Sequence, residues 1–190
     1  MKRFIIQTLF LLIMLCSCGS NQKETDKVEM VKTYVQALND FDYPSIISLF
    51  YDSVRMKEIV YDMSYSKADY YHLFQWDSIF QPQYEILKIQ EMTDGTIDLE
   101  ISKKGPRILF LNEKPTVTHE VISFKNDKIH SVHIRDYLVF DDQTWEAKRQ
   151  KLLDFIDQHH PELNGFIYDQ TKQGALNYLK ALELYRAAND

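Results

Sequence analysis

Only 5 glycines, 5 prolines and 2 cysteines stand among the 190 residues. So little glycine and proline excludes a collagen-like or low-complexity chain, and 45% hydrophobic against 26% charged residues excludes a disordered one. The two cysteines, Cys16 and Cys18, both lie near the N-terminus, so the rest of the chain has no thiol for a disulfide, a metal or a nucleophile. No run of basic residues offsets a formal charge of −6, which argues against nucleic acid and anionic lipid headgroups as partners. There is no G-x-S-x-G elbow, no H-E-x-x-H, no glycine-rich phosphate loop and no EF-hand spacing. Aromatic residues are abundant instead, with 12 Tyr and 11 Phe. They read first as a large packed core and second as a pocket for a flat ligand.

The N-terminus reads as an export signal. Lys2 and Arg3 precede an apolar stretch, Phe4 to Leu15, whose dozen or so residues fall short of the roughly 20 a membrane-spanning helix needs. Leu15-Cys16-Ser17-Cys18 resembles the lipobox of bacterial lipoproteins, the departure being Cys16 where a small apolar or hydroxyl residue is commoner. The resemblance implies a signal peptide over residues 1–17, cleavage before Cys18, and acylation, including palmitate, on Cys18. A plain secretory signal with a nearby cysteine pair is the alternative. Cleavage would lower the basic residues from 22 to 20 against 28 acids, for a mature charge of −8. Residues 18–26, small and polar, read as a tether. Attachment to the membrane would then rest on the acyl chains alone, and Gly19 after the cysteine implies, by resemblance, the outer membrane of the cell envelope.

Val31, Tyr34, Val35 and Leu38 recur at helical spacing and predict a first helix. Asp42 or Tyr43 opens a second, with Pro44 in its first turn and Ile46, Ile47 and Phe50 as its apolar face. Met56 to Met63 reads either as a helical extension or as a turn. Ser66 caps a third helix lined by Tyr70, Tyr71, Phe74 and Ile79. From Tyr84 the period becomes 2, predicting strands at Glu85–Gln90, Thr96–Ser102, Arg107–Leu111, Thr116–Phe124 and Ile129–Phe140, an antiparallel meander of about five. Asp142–Gln158 and Thr171–Ala188 return to helical spacing and are expected to pack on the domain, since their apolar stripes would otherwise face water.

Three helices followed by a bent antiparallel meander resemble the nuclear transport factor 2-like superfamily, which includes ketosteroid isomerases and polyketide cyclases. The stretch Y-V-Q-A-L-N-D-F-D-Y-P-S-I-I-S-L-F, Tyr34 to Phe50, looks like the family's first two helices. The resemblance covers roughly residues 27–140 and leaves 141–190 as added helices. It implies an α+β fold, a cone-shaped curved antiparallel sheet wrapped around N-terminal helices with a C-terminal helical extension, and a pocket at the open end. Carrying over the isomerase chemistry puts Tyr34 at an oxyanion-holding tyrosine, Glu120 near its protonated acid partner and Glu58 near the base; both acids are Glu where the family's enzyme uses Asp. The plain alternative is a core Tyr34 and two solvated glutamates.

Alternation places His133, Arg135 and Tyr137 on one face of the last strand, and these with Trp76 and His119 are candidates for a pocket wall. Arg135 is the candidate anchor for an anionic ligand. The six histidines show no metal spacing: His130 and His133 fall on opposite faces, and His159 and His160 are adjacent. No metal or cofactor is expected. The partners expected are the membrane through Cys18 and a small apolar or anionic ligand, with a homodimer left open. Two function classes remain, a binding or interaction module and an isomerase- or cyclase-type enzyme.

Overall fold

The computed structural model describes residues 26–189. The signal at residues 1–17, Cys18 and all of the tether but Asp26 therefore lie outside the described residues.

Helix α1 (Lys27–Asn39) starts where the Asp26 carboxylate accepts the Glu29 amide at 3.0 Å, and it buries Val31, Tyr34, Val35 and Ala37. Helix α2 (Tyr43–Leu49) is capped by Asp42, which accepts the Ser45 amide at 3.1 Å, and Pro44 stands in its first turn. The chain does not continue as a helix or a simple turn after Phe50. It forms a hairpin of β1 (Phe50–Glu58) and β2 (Tyr61–Tyr65), because Val54, Met56 and Glu58 share one face of a strand while Arg55 and Lys57 share the other. Helix α3 (Lys67–Ile79) follows, with Ser66 accepting the Asp69 amide at 3.0 Å.

Strands β3 (Gln83–Glu91) and β4 (Ile97–Lys104) pair through a turn at Gly95, whose φ of 78° suits glycine. Ile97, Leu99 and Ile101 point into the core as alternation requires. The expected strand at Arg107–Leu111 is instead helix α4 (Pro106–Asn112). Pro106 pre-sets its first turn, and Ile108, Leu111 and Asn112 are buried at the i, i+3, i+4 spacing of a helix face. Glu113, at φ 61°, stops it. Strands β5 (Thr116–Lys125) and β6 (Lys128–Val139) complete the sheet.

The six strands lie in the order β2-β1-β6-β5-β4-β3. The expected meander accounts for β3 to β6. The hairpin supplies the other two, and β1 runs parallel to β6 with four strands and helices α3 and α4 between them in the chain. The sheet is curved and unclosed, and α1, α2 and α3 fill its hollow around Val31, Tyr34, Ile46, Phe50, Leu99 and Ile122. The result is the α+β architecture implied by the resemblance.

Helices α5 (Asp142–His159) and α6 (Lys172–Asn189), joined by 3-10 turns at Pro161–Leu163 and Phe166–Tyr168, build a second core. Leu152 and Ile156 of α5 meet Ala175, Tyr178 and Leu182 of α6, with Phe80 at the end of α3 and Phe166 between them. Gly174 permits the close approach at the start of α6, since a Cβ there would stand 2.0 Å from the Asp169 carbonyl oxygen. The C-terminal helices are thus joined to the cone through α3.

Candidate functional site

A cavity of about 540 Å³ opens between the inner face of the sheet and the helices. Its floor is set by strand phase. On β5 the residues in step with buried Ile122 are Thr116, Thr118 and Glu120. On β4 the phase of Ile97, Leu99 and Ile101 brings in Lys103, and on β1 the phase of Val54 and Met56 brings in Glu58. Tyr34 and Leu38 of α1 and Tyr70, Phe74 and Asp77 of α3 close the opposite wall, and Arg107 of α4 and Trp145 of α5 stand at one end.

Strand β6 departs from simple alternation. His119 pairs with Asp136 and Glu120 with Ile134, so Arg135 is an extra residue, a bulge. Val132 and Ile134 face the cavity before it and Tyr137 faces it after. His133, Arg135 and Tyr137 therefore do not share a face: Tyr137 lines the cavity, while His133 and Arg135 do not. Burial, with the Arg135 charge adding to it, holds His133 below its usual value. The anchoring role expected of Arg135 has no geometric basis, because its side chain is exposed outside the cavity. His119 is also outside, bound to Asp98 at 2.7 Å.

Tyr34, Glu58 and Glu120 line the same cavity, and Trp76 joins them. Tyr34 is only 5% exposed and meets Phe50 edge-on at 5.7 Å, so its ring belongs to the core. Burial first, then the charges of Tyr70 and Glu120, push its hydroxyl well above the usual tyrosine range. Glu120 accepts the Thr118 hydroxyl at 2.8 Å. Burial pushes its carboxyl up, and Thr118, Lys103 and His119 offset this only in part. The Tyr137 hydroxyl donates to Glu58 at 2.5 Å. Burial, that bond, and the charges of Glu58 and Glu120 together raise Tyr137. The Trp76 indole donates to the Asp169 carbonyl at 3.1 Å, so its ring, and not its polar tip, is what it offers the cavity.

Three charged groups of the site, Asp77, Lys103 and Arg107, stood on no motif. Asp77 is held by Lys103 at 3.0 and 2.9 Å and by the Tyr84 hydroxyl at 3.1 Å. Burial alone would raise its carboxyl, yet Lys103, Arg107 and Tyr84 outweigh it and leave Asp77 below the usual carboxylate value. Arg107 is lodged among aromatic rings. Continuing the phase of Ile97, Leu99 and Ile101 by one step reaches Lys103; reading Arg107–Leu111 as a strand hid Arg107.

Among the described residues no group of three or more His, Cys, Asp or Glu side chains is placed to hold a metal ion, and no helix is long and apolar enough to cross a membrane.

No protein-family model matches the sequence, and no curated protein matches it. Nuclear transport factor 2-like proteins are among the solved structures similar to this chain. One is an NTF2-like protein of unknown function from Cytophaga hutchinsonii, 13% identical over 64% of this chain and 96% of its own, with a TM-score of 0.48. Another is the epoxide hydrolase/cyclase-like enzyme SalBIII of pyran ring formation in salinomycin, 17% identical over 65% and 96%, TM-score 0.48. A third is a de novo designed protein with a curved β-sheet, 15% identical over 64% and 90%, TM-score 0.46.

Proposed function

We propose that this chain is a cell-envelope binding protein, held at the outer membrane through acyl chains on Cys18, whose cone receives one small, largely apolar molecule. The observation that carries this reading is the cavity itself. At about 540 Å³ it falls within the size range of small-molecule pockets, and aromatic and aliphatic side chains with a few convergent polar groups make up its wall. Native mass spectrometry of the protein purified from its own envelope tests both halves. A small molecule retained under native conditions and lost on denaturation, together with an acyl mass on Cys18, is the expected result. An empty protein would remove the ligand, and a Cys18→Ala variant with unchanged maturation and membrane fractionation would remove the anchor.

A second reading, an isomerase- or cyclase-type enzyme, is favoured by one observation: Tyr34, Glu58 and Glu120 line a single cavity. In it Glu58 would move a proton, while Tyr34 and a protonated Glu120 hold the developing oxyanion. Binding is preferred because the Tyr34 ring is core and Glu58 is already engaged by Tyr137. Glu58→Gln separates the two. It should leave ligand retention unchanged under the binding reading and abolish turnover of the retained molecule under the enzymatic one.

A further inference from the structure

Arg107 stands in the first turn of α4, where the cone meets the C-terminal helices. Its guanidinium carbon lies 5.0 Å from the Trp76 ring centre, 5.3 Å from Phe80 and 5.7 Å from Trp145. The extension builds much of this box. Trp145 belongs to α5, the Trp76 indole is tied to the Asp169 carbonyl ahead of α6, and Phe80 rests edge-on against Tyr178 of α6 at 5.5 Å. Arg107 lines the cavity, its Nε is buried without a hydrogen-bond partner, and among the described residues its guanidinium enters no ion pair.

Asp77 does not fill the gap. Both of its oxygens are taken by Lys103, and one also by the Tyr84 hydroxyl. Asp77, Lys103 and Arg107 together leave one positive charge at this end of the cavity. Withdrawing a cation from water without an anion is costly. Three rings offset part of that through their faces, but they offer no acceptor to the in-plane N–H groups of the guanidinium. The arrangement therefore suits a planar acceptor, and the guanidinium fork matches a carboxylate. One surplus charge balances a monoanion. Glu58 and Glu120 line the same cavity as acids, which disfavours a second anionic group on the ligand, and Leu38, Phe74, Met56 and Ile134 suit an apolar body.

Resting on the reading of the cone as a ligand cavity, we infer that its occupant is a flat, largely apolar monocarboxylate whose head is held by Arg107 in a socket completed by the C-terminal helices. The test is calorimetric titration of the full-length protein in lipid nanodiscs, refolded from urea to strip any retained molecule, with empty discs as the blank. The probes are 2-naphthoate and its neutral isostere 2-naphthamide. The wild type should prefer the carboxylate about tenfold or more, the range for hydrogen bonds to a charged partner. Arg107→Met should bring that ratio to about one with naphthamide affinity held, and Arg107→Lys, which keeps the charge without the fork, should retain part of it. Equal binding of the two probes by the wild type, or a preference surviving in Arg107→Met, overturns the inference and leaves the cavity reading intact. Binding of neither probe overturns both.

Discussion

Replacing Lys103 by Met tests whether the polar end of the cavity is an electrostatic unit. Lys103 is the principal partner of Asp77, and the two side chains are 28% and 24% exposed. Stripping one partner from a buried pair costs about 3–5 kcal/mol, because the other charge stays behind uncompensated. Here the quarter exposure and the Tyr84 bond soften the loss, so about 2–3 kcal/mol is expected, or a fall in Tm of roughly 5–10 °C for a chain of this size. The pH dependence carries the sharper signature. In the wild type the Asp77 carboxyl lies below its ordinary 3.8, so its contribution is present above that value and lost as pH falls through the depressed folded one. Without Lys103 burial dominates and the carboxyl moves up, so the folded state of the variant is penalised near neutral pH and relieved on protonation. The deficit in urea midpoints should therefore narrow from about pH 7 to about pH 4. Adding Asp77→Asn to Lys103→Met should recover most of it. A deficit constant with pH, or a double variant no better than the single one, would refute the reasoning.

Two further outcomes follow from individual side chains. Glu120→Gln should gain stability relative to the wild type as pH rises, because a carboxyl raised above its ordinary 4.5 stabilises the fold below that value and loses that contribution as pH passes the raised one; urea midpoints followed upward from that ordinary value check it, and a pH-independent difference counts against a buried Glu120. Ile59 occupies the β1–β2 turn at φ 52°, half exposed, so Ile59→Gly should raise stability by about 0.5–1 kcal/mol in the same assay, whereas a loss would mean that the exposed side chain makes contacts that matter more than backbone strain.

The helices of the hollow were legible because apolar periodicity and cap chemistry agree. Asp42 and Ser66 stand one residue ahead of α2 and α3, and each accepts the amide three residues on. Strand β4 was legible for the same reason, its three isoleucine and leucine positions all being buried. The hairpin and α4 were not. Strand β1 directs Glu58 inward, so its alternation looks broken when polarity alone sorts the faces. Helix α4 spans only 7 residues, too few for helical spacing to stand out from a short apolar run.

The site failed to appear for a related reason, and that reason also shows how it can be found. Pattern reading sorts side chains by avoidance of water, whereas a cavity wall turns polar residues inward. The useful signal is therefore conflict between phase and polarity. On β1 Val54 and Met56 set the phase and Glu58 breaks the polarity; on β4 Ile97, Leu99 and Ile101 set it and Lys103 breaks it; on β5 Ile122 sets it and Glu120, Thr118 and Thr116 break it. Register carries these breaks to one end of the sheet, since Lys103 lies opposite Thr116, Glu120 opposite Ile134 and Glu58 also opposite Ile134. Three strands losing their apolar phase at the same end locate a cavity without any motif. Tyr137 escapes the rule because the bulge at Arg135 shifts its phase, which turns Tyr137 inward and leaves Leu138, in step with Val132 and Ile134, exposed. Arg107 escapes it because a helix has no such phase to break, and only the rings around its guanidinium disclose it.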